Sequence, residues 1–336
     1  MFFKNFQALF LISLILGTFI AISANSWFTC WLGLELNLIS FIPVILRYTN
    51  IKSTESAIKY FLAQAISSII LIASSNVFSF IDNNSLILNP SNLIIIALII
   101  KIGVAPTHFW FPQVITNLNW FQCFIIIVWQ KIAPIFIFSY FAPNHIISSI
   151  IVLSALTGAA GGINQSFIKP LLAFSSISHS AWIISLSTIS AYFILNYLII
   201  YAIINIALTF FLNTFDINSI SSTFNNIIST PIKINIIILI MSLGGLPPFI
   251  GFAAKINALM TLINFNFFFT PLILILSSIV SLYFYFKINY RFIFNKNSAL
   301  RLNLSTPSKN KFITKVLSSI SLRGNLILPL LIILAS

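Results

Sequence analysis

The chain has 336 residues, of which 59% are hydrophobic and 6% are charged, and its formal net charge is +13. Its mean hydropathy of +1.05 excludes an ordinary water-soluble globule. The basic residues form no stripe interleaved with aromatic residues, so we do not expect nucleic acid as a partner.

Long apolar runs recur along the chain, separated by short joints rich in Asn, Ser and Pro. A transmembrane helix needs about 20 mainly apolar residues, and the runs lack the two-residue alternation of a membrane barrel. We interpret the first run as a helix and not as a signal peptide, because many equally apolar runs follow it. We therefore predict an all-α polytopic membrane protein with about eleven transmembrane helices, at residues 5–24, 27–46, 56–80, 91–118, 121–141, 146–164, 172–188, 191–213, 234–263, 267–287 and 316–336.

The last of these spans, 316–336, is interrupted by a charge. Arg323 lies a third of the way along it, and it would have to reach an interface or find a partner. The sequence leaves open whether residues 312–325 belong to the span or form an interfacial helix followed by a short re-entrant tail.

The charges of the loops indicate the orientation of the chain. The loops opposite the N-terminus carry almost no charge except Asp82. The positive-inside rule therefore places the N-terminus on the cytoplasm-like side, and an odd number of helices places the C-terminus on the other side. The loops on the N-terminal side carry Arg47, Lys52, Lys169, Lys233, Arg291, Lys296, Arg301, Lys309 and Lys311.

The fourth and ninth spans contain helix breakers, in "IIIALIIKIGVAPTHFWFPQVI" and "IIILIMSLGGLPPFIGFAAKINALM". Glycine and proline at these depths predict discontinuous helices, broken near 103–106 and 244–248. The two spans are five helices apart, so they cross in opposite directions. This pattern predicts two antiporter-like inverted repeats of five helices each, at 1–143 and 144–290, followed by a basic loop and a C-terminal helix at 291–336.

Three lysines lie within predicted spans or close to their breaks, namely Lys101, Lys131 and Lys255, and Glu35 is the one acidic residue well inside a span. A lysine at the centre of a bilayer costs about 2.5 to 3.5 kcal/mol on insertion scales. Each lysine could snorkel to an interface or satisfy a structural carboxylate. The alternative is a chain of protonatable groups, since an amine can release a proton after burial and arginine cannot.

Two histidines are further candidates for proton transfer. His179 lies in the stretch "SSISHSAW", and His108 follows the first proline of the broken fourth span. Histidine titrates near neutrality and could bridge neighbouring sites, although a hydrogen-bonded core histidine is the commoner case.

Other motifs indicate structure and not chemistry. Glu55 and Lys59 have the spacing of a helical ion pair. Gly158 and Gly162 have the spacing that lets two membrane helices approach closely. The sequence contains no phosphate-binding glycine loop, metal-ligand motif or cysteine cluster, and we expect its two cysteines to be free thiols. Any redox chemistry is therefore expected in another protein.

Several motifs occur together in a fixed order: "NSWFTCWLGLELNLISFIP", "STESAIKYFLAQ", "KIGVAPTHFWFP", "WQKIAP", "GGINQSFIKPLLAFSSISHSAW" and "SLGGLPPFIGFAAK". In this order and spacing the chain closely resembles the antiporter-like membrane subunits of respiratory complex I, in the mitochondrially encoded chain 2 family. The resemblance covers nearly the whole chain up to about residue 290.

The resemblance implies a proton-translocating subunit in the inner mitochondrial membrane, with its N-terminus in the matrix and its C-terminus in the intermembrane space. It implies no cofactor or metal in this chain, and places FMN, iron-sulfur clusters and ubiquinone elsewhere in the complex. It also implies other membrane subunits, neighbouring antiporter-like chains among them, and lipids as partners, and no homo-oligomer. A stand-alone cation/proton antiporter and a structural spacer remain alternative interpretations.

The proton path that the resemblance implies runs through residues that are already candidates because of the cost of burying them in a membrane. By this resemblance Glu35 and Lys101 would form a switch pair, Lys131 the central relay and Lys255 the exit, with His179 on the path and His108 as a secondary candidate. Two differences from the family are noted. The resemblance implies that this chain starts at the fourth of the fourteen bacterial helices, and a loop that often has two adjacent basic residues here has Lys169 followed by Pro170.

Overall fold

The computed structural model describes residues 2–47, 50–80, 90–141, 145–219 and 230–294. These residues form helices and one isolated β-bridge, between Phe167 and Ser219. The α-helices are α1 (Phe2–Ile22), α2 (Trp27–Ile45), α3 (Ile51–Phe80), α4 (Pro90–Ile102), α5 (Trp110–Asn117), α6 (Trp120–Phe124), α7 (Gln130–Phe138), α8 (His145–Ile163), α9 (Ile168–Ser187), α10 (Ala191–Thr214), α11 (Thr230–Gly244), α12 (Ile250–Asn264) and α13 (Phe269–Phe294), and a π-helical turn (Ile125–Trp129) joins α6 to α7.

Helices occupy each of the predicted spans from 5–24 to 267–287. The largest disagreement at a boundary is at the end of α13, which continues to Phe294. The span 316–336, the alternative for 312–325, Asp82 and the basic loop beyond residue 294 lie outside the described residues.

Six of the described helices are long and apolar enough to cross a membrane by length and composition. They are Trp27–Ile45, Ile51–Val77, Trp120–Phe138, His145–Ile163, Ala191–Thr214 and Phe269–Ile293, and α4, α11, α12 and the segment Gln7–Ile22 are shorter apolar helices.

Helix α9 is not among these helices. Its serines lower its hydropathy, and nearly all of its residues are buried. Their hydroxyls donate to carbonyls of the preceding turn, as Ser180 does to Ile177 at 2.7 Å. Helix α9 is therefore a central helix that other helices shield from lipid.

The helices are interrupted in both regions where glycine and proline predict breaks. Residues 103–109 separate α4 from α5, and residues 245–249 separate α11 from α12. Each first half ends beside a glycine in the left-handed region, with φ of 74° at Gly103 and 77° at Gly245, a conformation that side chains with a Cβ avoid. Cis peptide bonds precede Pro106 and Pro248.

Glycines let neighbouring helices approach at backbone distance. A Cβ on Gly158 would lie 2.6 Å from the backbone nitrogen of Ser178 in α9, and one on Gly162 would lie 2.6 Å from the ring of Phe284 in α13. The predicted packing role of this glycine pair is confirmed. Gly33 does the same between α2 and α1, where its Cβ would lie 2.5 Å from the nitrogen of Ala21.

One end of the helical bundle carries the basic residues. Lys169 at the start of α9 donates to the carbonyl of Leu118 at 2.6 Å, and Lys287 in α13 donates to the carbonyl of Ile163 at 3.4 Å. The end of α5, the start of α9, the end of α8 and the last turns of α13 therefore lie together. We call this end the basic face. Lys169, Lys287 and Arg291 lie there, and Arg47 lines a cavity with Asn119 at the same end.

Candidate functional site

The three predicted lysines are all buried, with exposed fractions of 5% for Lys101, 2% for Lys131 and 8% for Lys255. The one ion pair found among the described residues is the predicted helical pair of Glu55 and Lys59, which is 2.6 Å long and exposed. None of the three buried lysines is therefore neutralised by a direct carboxylate contact within the described part of the chain.

Lys101 lies in the last turn of α4, immediately before the first break. The break leaves carbonyls of this turn without helical partners, and side chains replace the missing donors. The Gln64 amide donates to the carbonyl of Lys101 at 3.2 Å, and the Trp110 indole donates to the carbonyl of Ile100 at 3.2 Å. These two bonds hold the end of α4 against α3 and α5, and with it the backbone of Lys101.

Glu35 lies half-buried in α2, and its charge acts on Lys101. Its Oε2 atom is buried and has no hydrogen-bond partner among the residues that the structure describes. The two predicted members of the switch pair therefore lie close enough to interact electrostatically, but they form no direct ion pair in this structure.

Lys131 lies in α7, directly after the π-helical turn. There the backbone N–H of Gln130 donates to the carbonyl of Ile125, five residues earlier. The wider turn inserts one residue into the helix and so rotates the side chains that follow by about 100°. The Lys131 ammonium donates to two acceptors of Ser176, the backbone carbonyl at 2.9 Å and the side-chain hydroxyl at 3.3 Å. The ammonium also lies 4.7 Å from the centre of the Phe111 ring. It thus connects α7, α9 and α5.

His179 is buried in α9 between two of the lysines. Its Nδ1 atom lies 2.9 Å from the hydroxyl of Tyr197, and its ring centre lies 5.0 Å from that of Tyr201. The positive charges of Lys131 and Lys255 both act on the imidazole, as does the backbone of Leu243 at the second break. The structure therefore brings together the predicted relay, histidine and exit residues.

Lys255 lies in α12 and folds back over the second break. Its ammonium donates to the carbonyl of Gly244, the last residue of α11, at 2.7 Å. A cation is favourable at this position, because the free carbonyls and the dipole of α11 make its C-terminus negative. Gly245 leaves room for this contact, since a Cβ there would lie 2.7 Å from the Lys255 Cδ atom.

His108 lies in the first break, between α4 and α5. Its ring stacks on Phe109 at 4.3 Å between centres and approaches Phe174 at 6.5 Å. Its Nδ1 atom is buried without a hydrogen-bond partner in the described chain.

Sequence reasoning missed the neutral partners of these groups. Gln64, Ser176, Tyr197 and Tyr201 contact the lysines and the histidine, and none of the four was predicted. Tyr197 and Tyr201 could have been identified from the sequence, because a spacing of four residues places both on one face of an apolar helix.

Among the described residues, no group of three His, Cys, Asp or Glu side chains could hold a metal ion. Cys30 and Cys123 are both buried free thiols. The arrangement therefore offers proton donors and acceptors embedded in an apolar bundle.

Comparisons with known proteins agree with this arrangement. A family model described as NADH:quinone oxidoreductase/Mrp antiporter, transmembrane, matches residues 24–281, which include all of the predicted site residues. NADH-ubiquinone oxidoreductase chain 2 of Anopheles gambiae is 40% identical over 328 residues, covering 95% of this chain and 94% of the relative. The protein of the same name from Aedes aegypti is 37% identical over 331 residues, covering 96% of this chain and 97% of the relative.

The fold is also found among solved structures. A chain of respiratory complex I from Thermus thermophilus, solved with bound aureothin, matches with a TM-score of 0.81 and 20% identity, over 96% of this chain and 79% of that one. At this identity the similarity establishes the fold alone.

Proposed function

Because the chain belongs to the NADH:quinone oxidoreductase/Mrp antiporter family, and within it to the NADH-ubiquinone oxidoreductase chain 2 proteins, we propose that it is a proton-translocating membrane subunit of respiratory complex I. Electron transfer from NADH to ubiquinone takes place in other subunits, which hold the FMN, iron-sulfur clusters and ubiquinone. Its partners are those subunits, with neighbouring antiporter-like chains among them, and membrane lipids.

The observation that carries the proposal is the set of buried lysines without direct carboxylate partners in the described chain. A lysine held by carbonyls can lose its proton without leaving an opposite charge stranded. In the proposed path, Glu35 and Lys101 exchange protons at the first break, Lys131 relays them, His179 bridges to the second break, and Lys255 releases them.

The described lysine contacts support this order. Lys131 and Lys255 both act on His179, so the second half of the path is already connected by charge. The charge of Glu35 acts on Lys101, and Lys131 donates to Ser176. In the proposed switch the Lys101 side chain alternates between Glu35 and proton exchange with Lys131. His108 is kept as a secondary candidate because its Nδ1 atom is buried without a hydrogen-bond partner in the described chain.

Two inverted repeats, 1–143 and 144–290, are part of the same proposal. Their corresponding elements pack in the same way: α3 contacts both α4 and α5, and α10 contacts both α11 and α12. The glycines Gly103 and Gly245 end the first half-helix in each repeat. An inverted pair of broken helices suits a carrier that must connect to both sides of a membrane.

We propose that the protein lies in the inner mitochondrial membrane with its basic face, and its N-terminus, in the matrix. The positive-inside rule supports this orientation, because Arg47, Lys169, Lys287 and Arg291 gather at that face. The C-terminus, which lies outside the described residues, would then be in the intermembrane space.

Native gel separation of solubilised membranes, followed by proton uptake in proteoliposomes, tests the proposal. We expect the chain to comigrate with NADH dehydrogenase activity in a large complex, and Lys101→Met to leave that complex assembled while abolishing most proton uptake. A free oligomer with sodium-dependent proton flux would instead favour a stand-alone cation/proton antiporter. Loss of the assembled complex itself would favour a structural spacer, and normal pumping by the variant would refute the proposed path.

A further inference from the structure

A polar cavity of about 400 Å³ opens at the basic face, between the start of α1, the end of α2, the start of α6 and the end of α10. We call it the Arg47 cavity. Among the described residues that line it, Arg47 carries the one charge and no side chain is acidic. Its polar side chains are those of Gln7, Arg47, Asn50, Asn119, Gln122 and Asn213.

One wall of the Arg47 cavity is fixed by a buried glutamine. The side-chain nitrogen of Gln122 donates to the carbonyls of Val44 and Ile45 at 2.6 Å and 3.2 Å. Its Oε1 atom accepts from the backbone N–H of Asn119 at 3.0 Å. These bonds hold the last turn of α2 against the start of α6. Arg47, two residues beyond α2, therefore has a fixed base beside Asn119.

The chemistry of the lining suits a phosphate group. A guanidinium presents five N–H donors in a planar fork that matches phosphate oxygens, and primary amides add further donors. A cationic group would find no carboxylate among the described residues of the lining. Basic pockets between membrane helices are a general means of binding anionic lipid head groups. The cavity therefore favours a phosphate that carries a net negative charge.

An apolar stripe on α10 continues from the cavity toward the middle of the membrane. Ile206, Ile203 and Ile199 lie 7, 10 and 14 residues before Asn213, on one side of the helix, and are 47%, 51% and 53% exposed. At about 1.5 Å per residue the stripe is about 21 Å long, which exceeds the roughly 15 Å of hydrocarbon in one leaflet. Phe121, which is half exposed, lines the cavity on the α6 side. A free phosphate would leave these apolar surfaces uncovered, whereas an acyl chain would cover them.

We propose that the Arg47 cavity binds the head group of an anionic phospholipid. Arg47 and the neighbouring amides hold the phosphate, and an acyl chain lies along the stripe on α10. The lipid connects α10 to α1, α2 and α6, and so joins the two proposed repeats at the basic face. This binding site does not depend on the proposed proton path, because none of the path residues lines the cavity.

Photolabelling of the assembled complex tests the site. The probe is phosphatidylglycerol with a diazirine in one acyl chain, added to the complex in nanodiscs, and adducts are assigned to peptides by mass spectrometry. We expect labelling within residues 199–213 of α10. We expect Arg47→Gln to lower it about fivefold, equivalent to about 1 kcal/mol. Arg291→Gln removes the same charge from the basic face outside the cavity, and we expect its labelling to stay within about twofold of wild type.

Four results would overturn the proposal. Labelling that is unchanged by Arg47→Gln, or that falls equally in both variants, would remove the specific role of Arg47. Equal labelling by phosphatidylcholine with the same diazirine chain would refute selection for an anionic head group. Loss of labelling on addition of millimolar inorganic phosphate would assign the cavity to a free phosphate. Wild-type complex without labelling of α10 would show that a neighbouring subunit covers the groove. The last three tests use wild-type protein, so they decide the matter even if Arg47→Gln does not assemble.

Discussion

The contact between Lys255 and the end of α11 depends on a residue that cannot take a side chain. Gly245 has a φ of 77°, and a Cβ added there would lie 2.7 Å from the Cδ atom and 3.0 Å from the Nζ atom of Lys255. The substitution Gly245→Ala therefore strains the backbone and also pushes the lysine away from the carbonyl of Gly244. The proposed exit group would lose its position while keeping its chemistry.

Two costs add in this variant. A left-handed backbone costs a residue with a Cβ about 1 to 2 kcal/mol. A hydrogen bond to a charged group contributes about 1.5 to 3 kcal/mol. We expect Gly245→Ala to destabilise this region by about 2.5 to 5 kcal/mol, and to lower proton uptake, because Lys255 no longer rests on the negative end of α11.

The neighbouring glycine provides the matched control. A Cβ on Gly244 would meet the Cδ2 atom of Leu282 at 2.6 Å, which is the far end of a flexible side chain, and Gly244 is not in the left-handed region. We therefore expect Gly244→Ala to be tolerated better. Thermal inactivation and proton uptake of the two assembled variants provide the comparison, and equal behaviour of both would refute the reasoning about Gly245.

Two further substitutions test the central residues. Lys131→Arg keeps a positive charge beside Ser176 but cannot release a proton, so we expect an assembled complex whose proton uptake falls about 100-fold or more; uptake at the wild-type rate would exclude proton release at this position. Tyr197→Phe removes the one side-chain hydrogen bond that the structure shows for His179 within the described chain, and leaving a buried nitrogen unpaired costs about 1 to 3 kcal/mol. We expect proton uptake to fall by about fivefold or more with unchanged assembly on native gels, and unchanged uptake would remove Tyr197 from the path.

The helices and breaks could be predicted because their causes are local. Gly103 and Pro106 interrupt one apolar run, and Gly245 and Pro248 interrupt another. These four residues therefore predict both breaks without any information about which helices pack nearby. Burial of Lys101 and Lys131 followed from the length of the apolar runs around them. The cost of placing an amine there is a property of the membrane and not of a particular contact.

The partners of those residues could not be predicted, because they depend on how distant helices pack. Ser176 is 45 positions away from Lys131, and its carbonyl accepts from the lysine because α9 packs against α7. The π-helical turn that aims Lys131 leaves no clear pattern in the sequence. For Glu35 the sequence indicates burial near Lys101 but not the absence of a direct ion pair.

The neutral character of these partners bears on the mechanism. In the exposed pair of Glu55 and Lys59, loss of the lysine proton would leave a carboxylate without its counter-charge, so the pair holds that proton. The partners of Lys131 and Lys255 are a serine and backbone carbonyls, whose charge does not change. Either lysine can therefore exist with or without its extra proton in the same surroundings. Burial and the fixed dipoles around each lysine contribute to the energy difference between the two states, and both lysines act electrostatically on His179. This is the property that a relay requires, and a salt-bridged lysine in a structural spacer would lack it.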